Sequence, residues 1–167
     1  MKNFILATFL FSSISSFSQD SLSGILPLEN GKVTYTGVVQ VDSFTINQLY
    51  FLAQKWFVKT YKSANDVVQL ADKEYAQLIG KGNFKIDYFT KEPYINQTVS
   101  IFVKDGRYKY IISDFYYSDN DGKKFAIEDF PKSWIGKKKL FEKVDAETKL
   151  LIASLYVFMK TQAKDNW

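Results

Sequence analysis

Between Lys32 and Asp42 the chain alternates, with Val33, Tyr35, Val39 and Val41 on one side and Thr34, Thr36, Val38 and Gln40 on the other. That period of two is the mark of a half-buried strand. The period then changes. Thr45-Ile46-Asn47-Gln48 sets a threonine three residues before a glutamine, a capping box in which the two side chains satisfy free backbone donors reciprocally, and Phe44 and Leu49 stand where a hydrophobic staple would close. Ile46, Leu49, Tyr50, Ala53, Trp56, Phe57 and Thr60 follow at helical spacing, so a helix of about four turns turns an aromatic face to a core.

Two strand-like runs come next, Asp66 to Ala71 and Gln77 to Phe89, separated by a polar turn around Lys73 and Glu74. In the second, Leu78, Gly80, Gly82, Phe84, Ile86 and Tyr88 share one face, opposite Ile79, Lys81, Asn83, Lys85 and Asp87. Gly80-Lys81-Gly82 suggests at first a phosphate-cradling loop, but neither GxxxxGK[ST] nor a GxGxxG turn opening a helix is present. Both glycines fall on the apolar face, where a missing side chain lets a helix approach or a strand bend. Asn96 to Lys104 and Arg107 to Tyr117 then flank Asp105-Gly106, the strongest short hairpin signal. Pairing Lys104 with Arg107 puts Val99, Ile101, Val103, Tyr108, Tyr110, Ile112, Asp114 and Tyr116 on the core face. Thr98, Ser100, Phe102, Lys109, Ile111, Ser113, Phe115 and Tyr117 fall on the other. From Ser118 to Lys143 the chain reads as irregular. Asp145 then caps a final helix over about 145–164, whose middle, Leu150 to Met159, is apolar nearly all round.

Residues 1–18 change the picture of where this fold works. Lys2, an apolar run from Phe4 to Phe11, and Ser16 and Ser18 before a cut make a secretory signal peptide, and the run is far shorter than the roughly 20 residues a transmembrane helix needs. The chain has no cysteine, which excludes a lipid anchor on that residue type and any disulfide. The expectation is an exported protein, periplasmic or secreted, soluble and not a lipoprotein, with residues 19–167 forming one domain. A length near 150 residues suffices to bury about 68% of the unfolded surface without staples. The formal charge of the whole chain is +4, with acids and bases interspersed, too mild a field to argue for nucleic acid.

The composition also removes chemistry. Without histidine or cysteine the commonest general base, the thiol nucleophile and nearly all zinc, copper and haem ligation are gone, and no cofactor is expected. Asp114, on the apolar face between Ile112 and Tyr116, is either paired at the rim of the sheet or a candidate acid with a raised pKa. Asp119, Asp121, Gly122 and Glu128 match four places of a calcium loop, but Tyr117 stands where the leading acid belongs, so a plain Asp-Gly turn competes. Lys137-Lys138-Lys139 before Leu140-Phe141 could meet anionic headgroups or be a solvated linker. The outward patch of Phe102, Lys109, Ile111, Phe115 and Tyr117 is the leading candidate for binding a ligand or partner, unless residues 119–143 fold back over it with Phe130 and Trp134.

The order strand, helix, four strands, helix carries a resemblance. It joins Leu26-Pro27-Leu28-Glu29-Asn30-Gly31-Lys32-Val33, Leu49-Tyr50 with Ala53 and Trp56-Phe57, Asp72, and Gly80-Lys81-Gly82. Over about residues 26–117 the chain resembles a family of exported bacterial domains of unknown function with a TATA-binding-protein-like fold. The resemblance implies a curved antiparallel sheet with helices on one side and no activity. The expected architecture is therefore α+β, a five-stranded antiparallel sheet with two helices on one face. The expected role is a non-catalytic binding or interaction module of the cell envelope. Its contact would be the aromatic sheet face, or a cleft between sheet and helices holding a small apolar molecule, with an envelope protein as the other partner class. The rival is a carboxylate- and tyrosine-based hydrolase with Asp114 as acid.

Overall fold

The computed structural model describes residues 22, 24–42, 44–61, 67–88, 92–131 and 133–161. The leader expected at 1–18 lies outside them. The strands are β1 (Leu28–Glu29), β2 (Lys32–Val33), β3 (Tyr35–Gln40), β4 (Val68–Asp72), β5 (Gln77–Lys85), β6 (Tyr94–Lys104), β7 (Arg107–Ser118) and β8 (Lys124–Ala126), and the helices are α1 (Ile46–Thr60) and α2 (Lys137–Thr161). β1 and β2 form a small antiparallel ribbon. The main sheet runs β3-β7-β6-β5-β4, all antiparallel, and β8 pairs with the far half of β7. β3 takes Arg107–Ile112 and β8 takes Tyr116–Ser118, so one edge of β7 serves two short strands in succession. The extra strand makes the sheet six-stranded rather than five.

The hairpin follows its turn chemistry. Gly106 adopts φ +70°, which glycine tolerates without cost, and Lys104 pairs with Arg107. The same turn holds the start of α1: Gly106 N donates to Phe44 O at 2.8 Å, Val41 N donates to Gly106 O at 2.8 Å, and Ile46 N donates to Asp105 Oδ1 at 2.7 Å. Thr45 and Gln48 complete the expected capping box, with Gln48 N donating to Thr45 Oγ1 at 3.4 Å and Thr45 N donating to Gln48 Oε1 at 2.9 Å. The free amides of the first turn thus find partners from two directions.

Leu49, Tyr50, Leu52, Ala53, Trp56 and Phe57 of α1 are buried. The rings of Phe57 and Tyr61 descend onto the sheet where the two glycines lie. A Cβ on Gly80 would sit 2.5 Å from Phe57 Cε1, and one on Gly82 would collide with Tyr61 Cε1. The glycines are the floor under two aromatic rings, as the apolar parity of their strand requires. Beside them the buried Gln97 amide donates to the carbonyls of Ile95 at 3.0 Å and Gly82 at 3.3 Å, and the Tyr61 hydroxyl lies against the same amide. Rings therefore fill the space between α1 and the sheet at Gly80 and Gly82.

The last helix begins earlier than Asp145. Leu140, Phe141 and Val144 continue the buried spacing of Thr148, Leu155 and Met159, and Gly136 at φ +80° turns the chain into the first turn. Asp145 lies inside α2, where it accepts from Tyr35 Oη at 2.9 Å and from Lys149 Nζ at 2.7 Å. The triple lysine is the first turn of this helix, with Lys138 3.9 Å from Glu142, and no linker. α1 and α2 touch through Trp56 Nε1, which donates to Ser154 Oγ at 3.1 Å. Among the described residues no helix is long and apolar enough to cross a membrane.

Candidate functional site

Both helices cover one face of the sheet. The other face carries the even positions of β3 and β6 and, up to Ser113, the odd positions of β7. There Lys109 is the hub, directly opposite Val38 on one side and Phe102 on the other, and Ile111 lies one rung away between Thr36 and Ser100. Val38, Phe102 and Ile111 floor a hollow of about 370 Å³, walled by Lys104, Arg107 and Lys109. Val38 is 60% exposed and lies beside Phe102 and Ile111, so the apolar positions of this face are contiguous. Phe102, Lys109 and Ile111 were legible from their parity. Val38, Lys104 and Arg107 belong to the same hollow, and the signal for them was their outward parity beside the Asp-Gly turn.

Phe115 and Tyr117 do not belong to it. They are 1% and 0% exposed, in the core with the helices. The cause is a bulge: β6 advances from Asn96 to Thr98 while β7 goes from Tyr116 to Ser113, one residue more. Asp114 is the extra residue and takes φ +54°, a left-handed conformation that aspartate tolerates better than most. A shift of one residue exchanges the faces of a strand. Beyond Asp114 the odd positions therefore point to the core, where Phe115 packs edge-on against Tyr35 at 5.8 Å, and Tyr116 is exposed instead. Asp114 itself is exposed, not on the apolar face, and it does not line the hollow.

The segment after β7 does fold back, but over Tyr117 on the core side. Phe130 and Trp134 sit 5.5 and 6.0 Å from the Tyr117 ring, with Phe125 in the same cluster and Phe130 continuing to Phe141. Trp134 Nε1 donates to Tyr88 Oη at 3.1 Å, and Tyr88 Oη donates to the Ile135 carbonyl at 2.8 Å. Burial, then the bond to Asp119, holds the Tyr117 hydroxyl well above the ordinary tyrosine range. Phe102, Lys109 and Ile111 are left uncovered by these contacts.

The oxygen-rich stretch separates in space. Asp119 accepts from the amides of Asp121 at 3.1 Å and Lys123 at 3.0 Å and from the Tyr117 hydroxyl, so its carboxylate organises the turn between β7 and β8. Glu128 faces elsewhere and accepts from Val33 N at 2.7 Å, which ties the loop to β2.

Comparison with known proteins agrees with this architecture. No curated protein matches the chain. A TBP-like protein from Parabacteroides distasonis, solved as a crystal structure, superposes with a TM-score of 0.72 at 17% identity, over 81% of this chain and 97% of that one. A DUF4468 family protein from Bacteroides ovatus gives a TM-score of 0.70 at 16% identity, over 83% of this chain and 92% of that one. At such identities the likeness is one of fold. The family described as a domain of unknown function (DUF4468) with TBP-like fold matches residues 35–118, from the first residue of β3 to the last of β7, and the chain belongs to that family.

Proposed function

We propose that the protein is a non-catalytic binding module of the cell envelope, making its contact through the open face of the sheet around Phe102, Lys109 and Ile111. The observation that carries this reading is the hollow over Val38, Phe102 and Ile111, an apolar floor on the face that neither α1 nor α2 covers. Export to the periplasm or beyond is supported by the leader pattern of residues 1–18. The hydrolase alternative needs Asp114 in a concave site beside a second carboxylate. An exposed bulge residue outside the hollow gives that reading no support. Native mass spectrometry of the protein purified from its producing cell tests the proposal. Added mass that disappears on denaturation and is lost in Phe102→Ser is the expected result. A bare chain, with Phe102→Ser indistinguishable from it in every capture assay, removes the basis for an open-face contact.

A further inference from the structure

The charges of the open face are not evenly spread. On β3, β5, β6 and β7 as far as Ser113, the outward positions include Lys81, Lys85, Lys104, Arg107 and Lys109 and no carboxylate; Asp72, opposite Gln77 at the end of β4, lies three strands away from Lys109. Lys85 is paired with Glu92 at 3.3 Å. Lys104, Arg107 and Lys109 gather at one end, and Lys104 stands directly across from Arg107. Like charges directly opposite each other destabilise a sheet, and among the described residues none of these three forms an ion pair. The carboxylate closest in sequence, Asp105, accepts from the first amide of α1 and forms no ion pair with them. A cationic wall with no ion pair of its own among the described residues thus stands against an apolar floor.

We infer that the hollow binds an amphiphilic anion, a single acyl chain ending in a carboxylate, with the chain on Val38, Phe102 and Ile111 and the head on Lys104, Arg107 and Lys109. This rests on the open-face reading above and adds the class of ligand. Arginine meets a carboxylate with a two-pronged donor fork, and the flanking lysines add point charges. The volume lies at the lower end of the roughly 300–1,000 Å³ of small-molecule sites. A polyanion would want basic residues along its whole track, whereas the middle of the face is Thr36, Thr98, Ser100 and Ser113. A lipid surface would want protruding apolar groups, whereas these line a hollow.

The test is isothermal titration of the purified protein with decanoate, with neutral decanol and with decyltrimethylammonium, each below its micelle concentration. Decanoate should bind about tenfold or more tighter than decanol, and the cation not at all. Lys104→Gln/Arg107→Gln/Lys109→Gln, and more weakly Lys109→Gln alone, should erase the preference without lowering the melting temperature. Phe102→Ser should weaken decanoate and decanol together. Equal binding of decanoate and decanol, both lost in Phe102→Ser, would overturn the anionic assignment and leave the open-face reading standing. Failure of all three amphiphiles overturns the inference, and the native mass measurement then decides the open-face reading separately. Binding of anionic vesicles or polyglutamate by a protein that ignores decanoate would equally overturn it.

Discussion

Gly80→Ala adds one methyl group at the closest approach of α1 to the sheet, and its consequence can be worked from distances. The new Cβ would lie 2.5 Å from Phe57 Cε1 and 3.2 Å from Cδ1 and Cζ. Carbon atoms settle at about 3.5–4.0 Å, so the ring must retreat by about 1 Å. It has nowhere to go. Phe57 is fully buried, with Trp56 edge-on at 5.2 Å and Tyr61 stacked at 6.0 Å. Overpacking of this kind costs about 1–3 kcal/mol, against about 0.5–1 kcal/mol gained by removing a flexible glycine from a strand. The net loss should be about 1–2 kcal/mol, or about 2–8 °C in melting temperature. Urea denaturation followed by tryptophan fluorescence measures it, with Gly24→Ala, where no atom lies within 4 Å of the added Cβ, as the unaffected control. Phe57→Leu shortens the opposing side chain. The double variant should therefore recover about 1 kcal/mol relative to the sum of the two single losses. A neutral or stabilising Gly80→Ala, or two losses that simply add, would refute the account of why glycine stands there.

Three further predictions probe the register and the buried hydroxyls. Phe115→Ser should cost about 3–5 kcal/mol in urea unfolding because its ring is core, whereas Phe102→Ser should cost less than about 1 kcal/mol, and the reverse ranking would deny the bulge. Asp114→Gly should raise stability by about 1 kcal/mol by relieving the left-handed backbone, and Asp114→Val should lower it by a similar amount or more; equal melting temperatures for the pair would contradict the strain. Burial pushes Tyr61 up to about 12, so the folded state keeps a proton there that the unfolded chain releases near pH 10. Stability should be level below about pH 10 and fall towards pH 12, by about 2–3 kcal/mol from Tyr61, and a Tyr61→Phe slope as steep as the parent's would contradict this.

Local chemistry made the capping box, the Asp-Gly hairpin with Lys104 against Arg107, and the place of Gly80 and Gly82 readable, because each depends on neighbours in sequence. The bulge was harder. Ile111, Ile112, Phe115, Tyr116 and Tyr117 supply apolar groups to both parities, so no period favours one face through the whole of β7. Yet two oddities stood together: a carboxylate at Asp114 on the presumed core face, and two large rings on the presumed outer face just after it. One inserted residue removes both. The early start of α2 was hidden for a related reason, since Asp145 looks like a cap until its contact with Tyr35, distant in sequence, is known. The hollow depends on Val38 arriving from β3, a pairing that long-range topology alone decides.

The turn at Asp105 and Gly106 sets a rule for how this sequence can vary. Hairpin tips are ordinarily where chains accept insertions, because lengthening a loop costs little entropy and disturbs nothing behind it. Here both turn residues are bonded to the connection between β3 and α1. An added residue would pull Asp105 away from Ile46 N and Gly106 away from Phe44 and Val41, releasing the helix start together with the turn. Length variation among related chains should avoid the interval from Lys104 to Arg107, and a tag or fused domain placed there would be the wrong choice for any engineering of the molecule.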